Sequence, residues 1–329
     1  MSTQDARTPG VTVVIPTRDR AHLVAGVVAS ALDQRGVAVE VVVVDDASTD
    51  ETPQRLEAIE DRRLRVLRNE VNLGVSGARN RGIEAARGPW VAFLDDDDLW
   101  APGKLRAQLA APGATAAVLV YAGAVAVDAG RRIQRVLPAP TDGDALRADL
   151  LDGNRIGSPS CVLARTDALR RVGGFDPDLS IVADWDLWLR LVEIGRPVPC
   201  PELLVAYTEH EGNMHLDLDA MLREYRVLRR KHRQLTAAAG RPLGSQLWWR
   251  WIASAYRRKG QRGRAAMVYL ACATRYRSRR DLRFAAGMAV GERLLPLGPD
   301  WPAGGPPPRL DWLGADHTRS PRSCSSSEG

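Results

Sequence analysis

The chain has 329 residues, of which 45% are hydrophobic and 26% are charged. These proportions are typical of a globular protein with room for one large or two ordinary domains, and they exclude a fibrous or fully disordered chain. The net charge of +6 is unevenly distributed: residues 222–283 carry 18 basic and two acidic side chains, and the rest carries 28 basic and 38 acidic ones. The overall charge therefore does not indicate a nucleic-acid-binding protein.

Signals for export and membrane insertion are weak in this sequence. Residues 1–10 are polar and lack the apolar core of a secretory signal. No apolar run approaches the about 18 residues of a membrane-spanning helix. The four cysteines are scattered, which is typical of free thiols in a reducing compartment. We therefore expect a cytoplasmic protein.

The first hundred residues alternate apolar strands with amphipathic helices. Strands are predicted over 11–15, 39–44, 64–67 and 90–94, and helices over 23–31, 48–59 and 77–86. Ser48 and Glu51 have the spacing of a capping box for the second helix. This alternation predicts βαβ units and a parallel sheet, and the continuously apolar strands predict that helices cover both of its faces.

The pattern changes after residue 116, where shorter strands predominate. Strands are predicted over 118–121, 124–127, 132–137, 160–164 and 203–207, with helices from 166 and over 184–194. Four further helices are predicted over 219–239, 245–259, 263–275 and 282–295. The sequence thus predicts an α/β domain at 8–218 and a basic helical extension at 219–297, flanked by disordered segments at 1–7 and 298–329.

Carboxylates cluster where the predicted strands end. Asp95–Asp98 follows a fully apolar strand, and the period of a strand points Asp95 and Asp97 to one side. Two such carboxylates suit a hard cation such as Mg²⁺ or Mn²⁺, with phosphate oxygens as further ligands. Ligands of parallel sheets bind outside the carboxyl ends of the strands. The alternative is a solvated acidic loop.

Two other groups could serve a nucleotide at this edge. Asp45 and Asp46 can accept hydrogen bonds from a base or a ribose, although they could equally cap a turn. Arg79 and Arg81 lie in a glycine-rich helix start that suits phosphate contacts, and the alternative for them is a solvated helix face.

Seven segments together resemble glycosyltransferase family 2, whose members have the GT-A fold, a Rossmann-like nucleotide-diphospho-sugar transferase domain. The segments are VTVVIPTRDR (11–20), VVVVDDASTD (41–50), NLGVSGARNRGI (72–83), WVAFLDDDDLW (90–100), GGFD (173–176), ADWDLWLRL (183–191) and YTEHEGN (207–213). They occur in the family's order and cover about 11–213, or roughly two thirds of the chain.

The resemblance implies where the donor and its metal would bind. The nucleotide base would be held by Pro16, Thr17 and Asp46, with Asp45 beside them. A D-x-D motif would bind the ribose and diphosphate together with Mg²⁺ or Mn²⁺; it comprises Asp95, Asp96 and Asp97, with Asp97 as the main metal ligand. His210 would close on the diphosphate or the metal; a histidine that only hydrogen-bonds its loop is the alternative.

The resemblance also implies an inverting transfer with Asp184 as general base. Many relatives have Glu-Asp at this motif, whereas Ala183 precedes Asp184 here, so Asp186 remains a rival base. A helix N-cap is the structural alternative for Asp184. Trp185 and Trp188 could stack on an acceptor sugar or pack in the core. The metal and Arg79 would neutralise the leaving nucleoside diphosphate.

The implied partners are a nucleoside-diphosphate sugar and a hydroxyl-bearing acceptor, which could be a saccharide, a lipid-linked molecule or a small molecule. The basic extension could pack on the acidic domain or contact an anionic membrane at its inner face; nucleic acid is not expected, because the sequence contains no recognised nucleic-acid module. Two other functions stay open: nucleotidyl transfer, and a non-catalytic membrane or polyanion adaptor on the same fold.

Overall fold

The computed structural model describes residues 9–140, 142–210, 217–290 and 310–313. Within these residues nine strands form one sheet: β1 (Val11–Thr17), β2 (Val39–Asp45), β3 (Leu64–Arg68), β4 (Trp90–Phe93), β5 (Leu99–Trp100), β6 (Leu119–Val127), β7 (Ile133–Leu137), β8 (Val162–Arg165) and β9 (Pro197–Thr208). Their order is β3-β2-β1-β4-β8-β6-β9-β5, and β7 pairs with β6.

The described helices connect and cover these strands. They are α1 (Val24–Leu32), α2 (Thr52–Glu57), α3 (Gly74–Ala85), α4 (Lys104–Ala110), α5 (Gly143–Asp152), α6 (Thr166–Arg171), α7 (Ala183–Ile194), α8 (Leu218–Lys231), α9 (Arg233–Ala238), α10 (Gln246–Arg258), α11 (Arg262–Tyr276) and α12 (Arg279–Val290). None of these helices is long and apolar enough to cross a membrane.

The first half of the sheet is parallel, as the sequence predicts. Strands β3, β2, β1 and β4 pair in parallel, with Val11 opposite both Val39 and Trp90. Every residue of β1, β2 and β4 is buried, because helices cover both faces. Their carboxyl ends therefore lie together at one edge of the sheet.

The second half of the sheet is mixed, and here the sequence makes no prediction of strand direction. Strand β8 runs antiparallel to β4 and β6, whereas β6 and β9 run parallel. A buried strand has the same apolar pattern in either direction, so its sequence does not encode the direction. The two strands predicted at 118–121 and 124–127 are one strand, β6, in which the pairing with β9 shifts register around Gly123.

The predicted capping box is also wrong. Helix α2 begins at Thr52, and its N-cap Glu51 makes no side-chain cap hydrogen bond. The Ser48 hydroxyl instead accepts a hydrogen bond from the amide of Asp19, and the Ser48 amide donates to Oδ1 of Asp45. Ser48 therefore connects the loops that follow β1 and β2, which shape the carboxyl edge of the sheet.

Helix α8 packs directly against α7. The Tyr225 ring stacks on Trp185 at 6.2 Å and on Trp248 of α10 at 4.8 Å between centroids. Oε2 of Glu224 accepts hydrogen bonds from the backbone amides of Ser180, Ile181 and Val182, just before α7. The helical extension thus shares a hydrophobic core with the α/β part, while a domain boundary at 218 stays a prediction.

The disordered segments predicted at 1–7 and 298–329 lie outside the described residues, apart from 310–313. There Asp311–Leu313 forms one 3₁₀ turn, and Leu313 is buried against Val125, Val127 and Ala206. An apolar side chain within a polar, proline-rich segment accounts for this local order.

A buried charge network joins α7 to α8 around Asp186, which is fully buried. Its Oδ2 accepts from Nη2 of Arg190 at 2.6 Å and from Nζ of Lys231 at 3.0 Å, and its Oδ1 lies 2.8 Å from Nε2 of His232. Burial alone raises the pKa of Asp186, but the hydrogen bond from His232 and the charges of Arg190 and Lys231 bring it to about 2.

We expect Asp186→Asn to lower the free energy of unfolding by about 3 kcal/mol at pH 7, because it removes the buried carboxylate charge that Arg190, Lys231 and His232 share. The folded pKa is depressed from 3.8 to about 2, so this stability is present above pH 3.8 and is lost as the pH falls towards 2. Urea denaturation at several pH values measures both effects. The control is Asp178→Asn on an exposed carboxylate; an equal loss in both variants would contradict the prediction.

Candidate active site

The predicted base-binding residues lie together at the ends of β1 and β2. Pro16 is buried in β1, and Thr17, Asp45 and Asp46 are each less than 5% exposed. The Asp46 amide donates to the carbonyl of Thr17 at 2.8 Å, which joins the two strand ends. Oγ1 of Thr17 and Oδ2 of Asp45 are buried and make no hydrogen bond to the described residues, although Oδ2 of Asp45 lies 3.6 Å from Nε of Arg68 in an ion pair. Buried polar atoms normally have partners, so these two atoms suit a ligand.

Asp46 is already engaged in holding its loop. Its Oδ1 accepts hydrogen bonds from Nδ2 of Asn69 at 2.6 Å and from the amide of Leu73 at 2.9 Å. Arg81 donates to the carbonyl of Arg68 at 2.7 Å. These contacts order the segment between β3 and α3 and give Arg81 a bracing role in the structure.

Arg79 points from α3 into the protein, so the solvated-face alternative is wrong for it. The side chain is 4% exposed, and its Nη2 donates to Oδ1 of Asp95 at 2.6 Å. Its guanidinium lies over the Phe175 ring at 5.1 Å. Helix α3 can approach β1 closely because Gly82 has no side chain. A Cβ at this position would lie only 2.3 Å from Cγ1 of Val14. Nε of Arg79 has no hydrogen-bond partner among the described residues.

The four aspartates after β4 are largely buried, so they do not form a solvated acidic loop. Asp95 faces Arg79, and Oδ2 of Asp97 lies 2.9 Å from Nε2 of His210. Asp96 points towards Arg20, at 3.6 Å. Asp98 is fully buried and accepts from the Ser158 hydroxyl and the Thr208 amide. Each aspartate therefore has a different partner.

Negative charge is concentrated at this loop. Burial, and then the charge of Asp97, raise the pKa of Asp96 to about 7. Burial and the charge of Asp95 also raise the pKa of Asp97, although His210 and Arg20 oppose this. A divalent cation would relieve the repulsion between these carboxylates.

The predicted metal ligands Asp95, Asp97 and His210 are chemically suited to Mg²⁺ or Mn²⁺, but the structure does not bring all three together. Asp97 and His210 are in contact, a carboxylate with an imidazole, which is a donor pair that Mn²⁺ accepts. Asp95 is instead bound to Arg79. No group of three or more histidine, cysteine or acidic residues in the described part of the chain is arranged to hold a metal. Ligands from a diphosphate would have to complete the coordination.

Asp184 lies in the first turn of α7, beside the Arg79–Asp95 pair. Its Oδ2 accepts a hydrogen bond from Nδ2 of Asn154, and its Oδ1 accepts one from the amide of Trp185, both at 2.7 Å. It is not the N-cap, since α7 is capped at Val182. Burial raises its pKa to about 6, against the opposing effects of the Trp185 amide, Arg79 and Asn154. Such a carboxyl can exchange a proton near neutral pH.

Asp186 and the two tryptophans are occupied structurally. Asp186 is fully buried and in contact with Arg190, Lys231 and His232, which leaves it inaccessible to an acceptor. Trp185 and Trp188 are also buried: Trp188 packs near Phe93 and Phe175. The core-packing alternative is therefore the observed one for both tryptophans.

Three site residues escaped prediction. Arg20 pairs with Asp96, Asn154 with Asp184, and the Ser160 hydroxyl accepts from the Asp95 amide at 3.0 Å. Arg20 lies inside the first family segment, and its positive charge next to a predicted diphosphate site could have identified it. Asn154 lies in the loop after α5, and Ser160 lies in a 3₁₀ turn, Pro159–Cys161, where the sequence predicts the start of a strand, so nothing in the sequence identifies either as a site residue. Residues 211–213 of the segment YTEHEGN lie outside the described residues.

We expect Asn154→Ala to reduce transfer more at acidic than at alkaline pH. The side-chain amide of Asn154 lowers the pKa of Asp184, so its removal raises that pKa and leaves more of this candidate base protonated. The expected loss in kcat/KM is about tenfold near pH 6 and about twofold near pH 8. A pH–rate profile measures this, and a uniform loss at all pH values would contradict it.

Comparisons with known proteins identify the family to which this chain is similar. A family model described as glycosyl transferase family 2 matches residues 12–173. The putative teichuronic acid biosynthesis glycosyltransferase TuaG of Bacillus subtilis is 31% identical over 193 residues, covering 57% of this chain and 73% of TuaG. The succinoglycan biosynthesis protein ExoO of Rhizobium meliloti is 49% identical over 100 residues, covering 30% of this chain and only 29% of ExoO.

A solved structure extends the comparison beyond the matched sequence. The mannosyltransferase PcManGT of Pyrobaculum calidifontis, solved with GDP-Man and Mn²⁺, superposes with a TM-score of 0.55 at 22% identity, over 86% of this chain and 85% of that one. The fold is thus the GT-A fold of nucleotide-sugar transferases, with added C-terminal helices. The chain belongs to glycosyltransferase family 2.

Proposed function

We propose that the protein is a metal-dependent inverting glycosyltransferase that moves a sugar from a nucleoside-diphosphate sugar to an acceptor hydroxyl. The observation that carries the proposal is the placing of Asp184, a half-buried carboxyl with a pKa of about 6, beside Arg79 and Asp95. A base that can work near neutral pH thus lies next to groups suited to a diphosphate. TuaG and ExoO are named for polysaccharide biosynthesis, which supports a polysaccharide or glycolipid product.

The donor nucleotide would bind at the ends of β1 and β2. Oγ1 of Thr17 and Oδ2 of Asp45 would take hydrogen bonds from the base or ribose, which would satisfy two buried polar atoms. Pro16 shapes the wall, and Asp46 keeps the loop in place through Asn69. Asp96, beside Arg20, would face the ribose or diphosphate.

Asp97 and His210 would hold a Mg²⁺ or Mn²⁺ ion, with Asp95 nearby. Such a cation, when bound, neutralises charge on a leaving diphosphate. Arg79, fixed by Asp95 and the Phe175 ring, would contact the same phosphates with little loss of side-chain entropy, because it is already ordered.

The sugar transfer itself would use Asp184. The acceptor oxygen forms a bond to the anomeric carbon from the face opposite the diphosphate, and the bond from that carbon to the diphosphate oxygen breaks with its electron pair. Asp184 takes the hydroxyl proton. The product is a glycoside of inverted configuration, and the place of action we infer is the cytoplasm, at the inner face of the membrane.

A donor screen tests the proposal directly. The full chain is incubated with UDP- and GDP-sugars, Mn²⁺ or Mg²⁺ and a panel of saccharide and lipid-linked acceptors, and nucleoside diphosphate release is measured. We expect release with one donor class and loss of release with EDTA. Release of nucleoside monophosphate or pyrophosphate instead would indicate nucleotidyl transfer and contradict the proposal. Donor binding without turnover by any acceptor would favour a non-catalytic adaptor.

A further inference from the structure

Two adjoining cavities open along α8, on the basic helical extension. The first has a volume of about 430 Å³ and lies between α8, α10 and α11. The second has a volume of about 360 Å³ and lies along α8 and α9. They share Arg229, Pro242 and Leu243 as walls, and together they form what we term the extension groove.

The second cavity is strongly cationic. Its walls contain four exposed arginines, and none of them forms an ion pair with any residue that the structure describes; they are Arg226, Arg229, Arg230 and Arg233. The two acidic residues of the segment 222–283 are occupied elsewhere: Glu224 binds amides before α7, and Asp281 binds Arg250 at 2.6 Å. The described residues therefore supply no counter-charge for this cavity, which leaves it attractive to an anionic molecule.

The first cavity is mostly apolar. Trp249, Val268 and Ala271 line it, and Met267 on its rim is 65% exposed. Leu270, three residues along α11 from Met267, is 49% exposed. The hydroxyl of Tyr225 is already engaged with the carbonyl of Leu243, so it does not make this wall polar. Aliphatic surface of this kind, next to unpaired arginines, suits a hydrocarbon chain that carries an anionic head.

We propose that the extension groove binds an anionic lipid of the membrane, with its phosphate at the arginines and its adjoining hydrocarbon along α11. A nucleic acid fits less well, because exposed methionine and leucine offer nothing to polar base edges. The inference goes beyond the proposed sugar transfer and does not depend on it, since lipid binding is measured without a donor or an acceptor.

The groove is connected to the candidate base through packed and hydrogen-bonded side chains. Tyr225, a wall of the groove, stacks on Trp185, the residue after Asp184. Lys231 and His232, between the groove arginines, bind Asp186. A lipid bound here would thus set the orientation of the Asp184 site relative to the membrane.

The test is co-sedimentation of the full chain with vesicles of phosphatidylcholine alone or with phosphatidylglycerol. We expect binding only to the anionic vesicles, weakening from about 0.05 M to about 0.5 M salt. The variant Arg226→Gln/Arg233→Gln should lower the partition coefficient at least about tenfold. The control Arg279→Gln/Arg283→Gln removes equal charge from exposed positions of α12 outside both cavities and should lower it about twofold or less.

A second variant tests the apolar half. Met267→Gln/Leu270→Gln leaves the charge unchanged and should weaken vesicle binding about fivefold or more, since it removes buried hydrocarbon contact. Three results would overturn the proposal: no binding to anionic vesicles at low salt, equal losses in the two arginine variants, or full binding by the Met267→Gln/Leu270→Gln variant. Competition by inorganic phosphate alone at millimolar concentration would reduce the groove to a simple anion site. A groove-dependent preference for an oligonucleotide over vesicles would assign it to nucleic acid.

Discussion

Replacing Asp97 by Asn is expected to reduce sugar transfer by about 10²- to 10³-fold, because an amide oxygen without charge binds a divalent cation poorly and leaves the diphosphate uncompensated. Asp97 is the carboxylate in contact with His210, at 2.9 Å, so it is the candidate ligand with a second donor already in place. Nucleoside diphosphate release at increasing Mn²⁺ concentration measures the effect. The apparent Mn²⁺ affinity should fall with the rate.

The fold of the Asp97→Asn variant should survive. Burial and the charge of Asp95 disfavour the ionised form of Asp97, so a neutral side chain of the same shape relieves repulsion in the metal-free protein. A circular-dichroism melting curve compares the variant with the parent. Asp178→Asn, on an exposed loop, is the matched charge control and should retain full activity. Parent-like turnover and Mn²⁺ dependence in Asp97→Asn would remove Asp97 from the metal site.

Asp184→Asn is expected to retain nucleotide binding and to lose transfer by about 10²- to 10⁴-fold, the usual contribution of a general base. The asparagine keeps the shape of the side chain but cannot take the proton of the acceptor hydroxyl. Calorimetric titration with the nucleoside diphosphate and a rate assay separate binding from chemistry. Turnover equal to that of the parent would contradict the assignment. Asp186 is poorly placed to replace Asp184, since its oxygens are held by Arg190, Lys231 and His232.

The pH dependence gives a second readout for Asp184. With a pKa of about 6, the parent's kcat/KM should fall about tenfold per pH unit below that value. The folded pKa is raised from 3.8, so ionising Asp184 costs stability as the pH rises from about 4 to about 6. At pH 7 the free energy of unfolding of Asp184→Asn, measured by urea denaturation, should therefore exceed that of the parent by about 1 to 2 kcal/mol. At pH 4 the two free energies should be equal.

The fold class and most strands were predictable from the sequence because they depend on local pattern. The continuous apolar runs of β1, β2 and β4 mark a sheet covered on both faces, and each ends in polar residues. The direction of β8 and the continuity of β6 through Gly123 were not predictable, since both depend on which strand lies alongside. Ser48 is a further example. Its spacing fits a helix cap, but in the structure its hydroxyl accepts a hydrogen bond from the amide of Asp19, which is 29 residues away in sequence.

The sequence by itself determined the family, the α/β pattern and the set of carboxylates at the ends of the strands, because each of these is encoded in short segments in a fixed order. Only the tertiary structure decided which partners each carboxylate contacts. Asp184 and Asp186 are two residues apart, and nothing local separates them as bases. Their environments do: Asp184 meets Asn154 from an irregular loop, whereas Asp186 meets Lys231 and His232 from α8.

The role of the unevenly distributed charge is also clear only from the tertiary structure. The basic extension is not simply an addition to an acidic domain, since Glu224, Lys231 and His232 hold the start of α7 and thereby the candidate base. Its remaining arginines lie around the extension groove without counter-charges among the described residues. Which charged residues meet across more than 40 residues of sequence depends on packing. The sequence could therefore show the excess of basic residues, but not which of them contact α7 and which line the exposed groove.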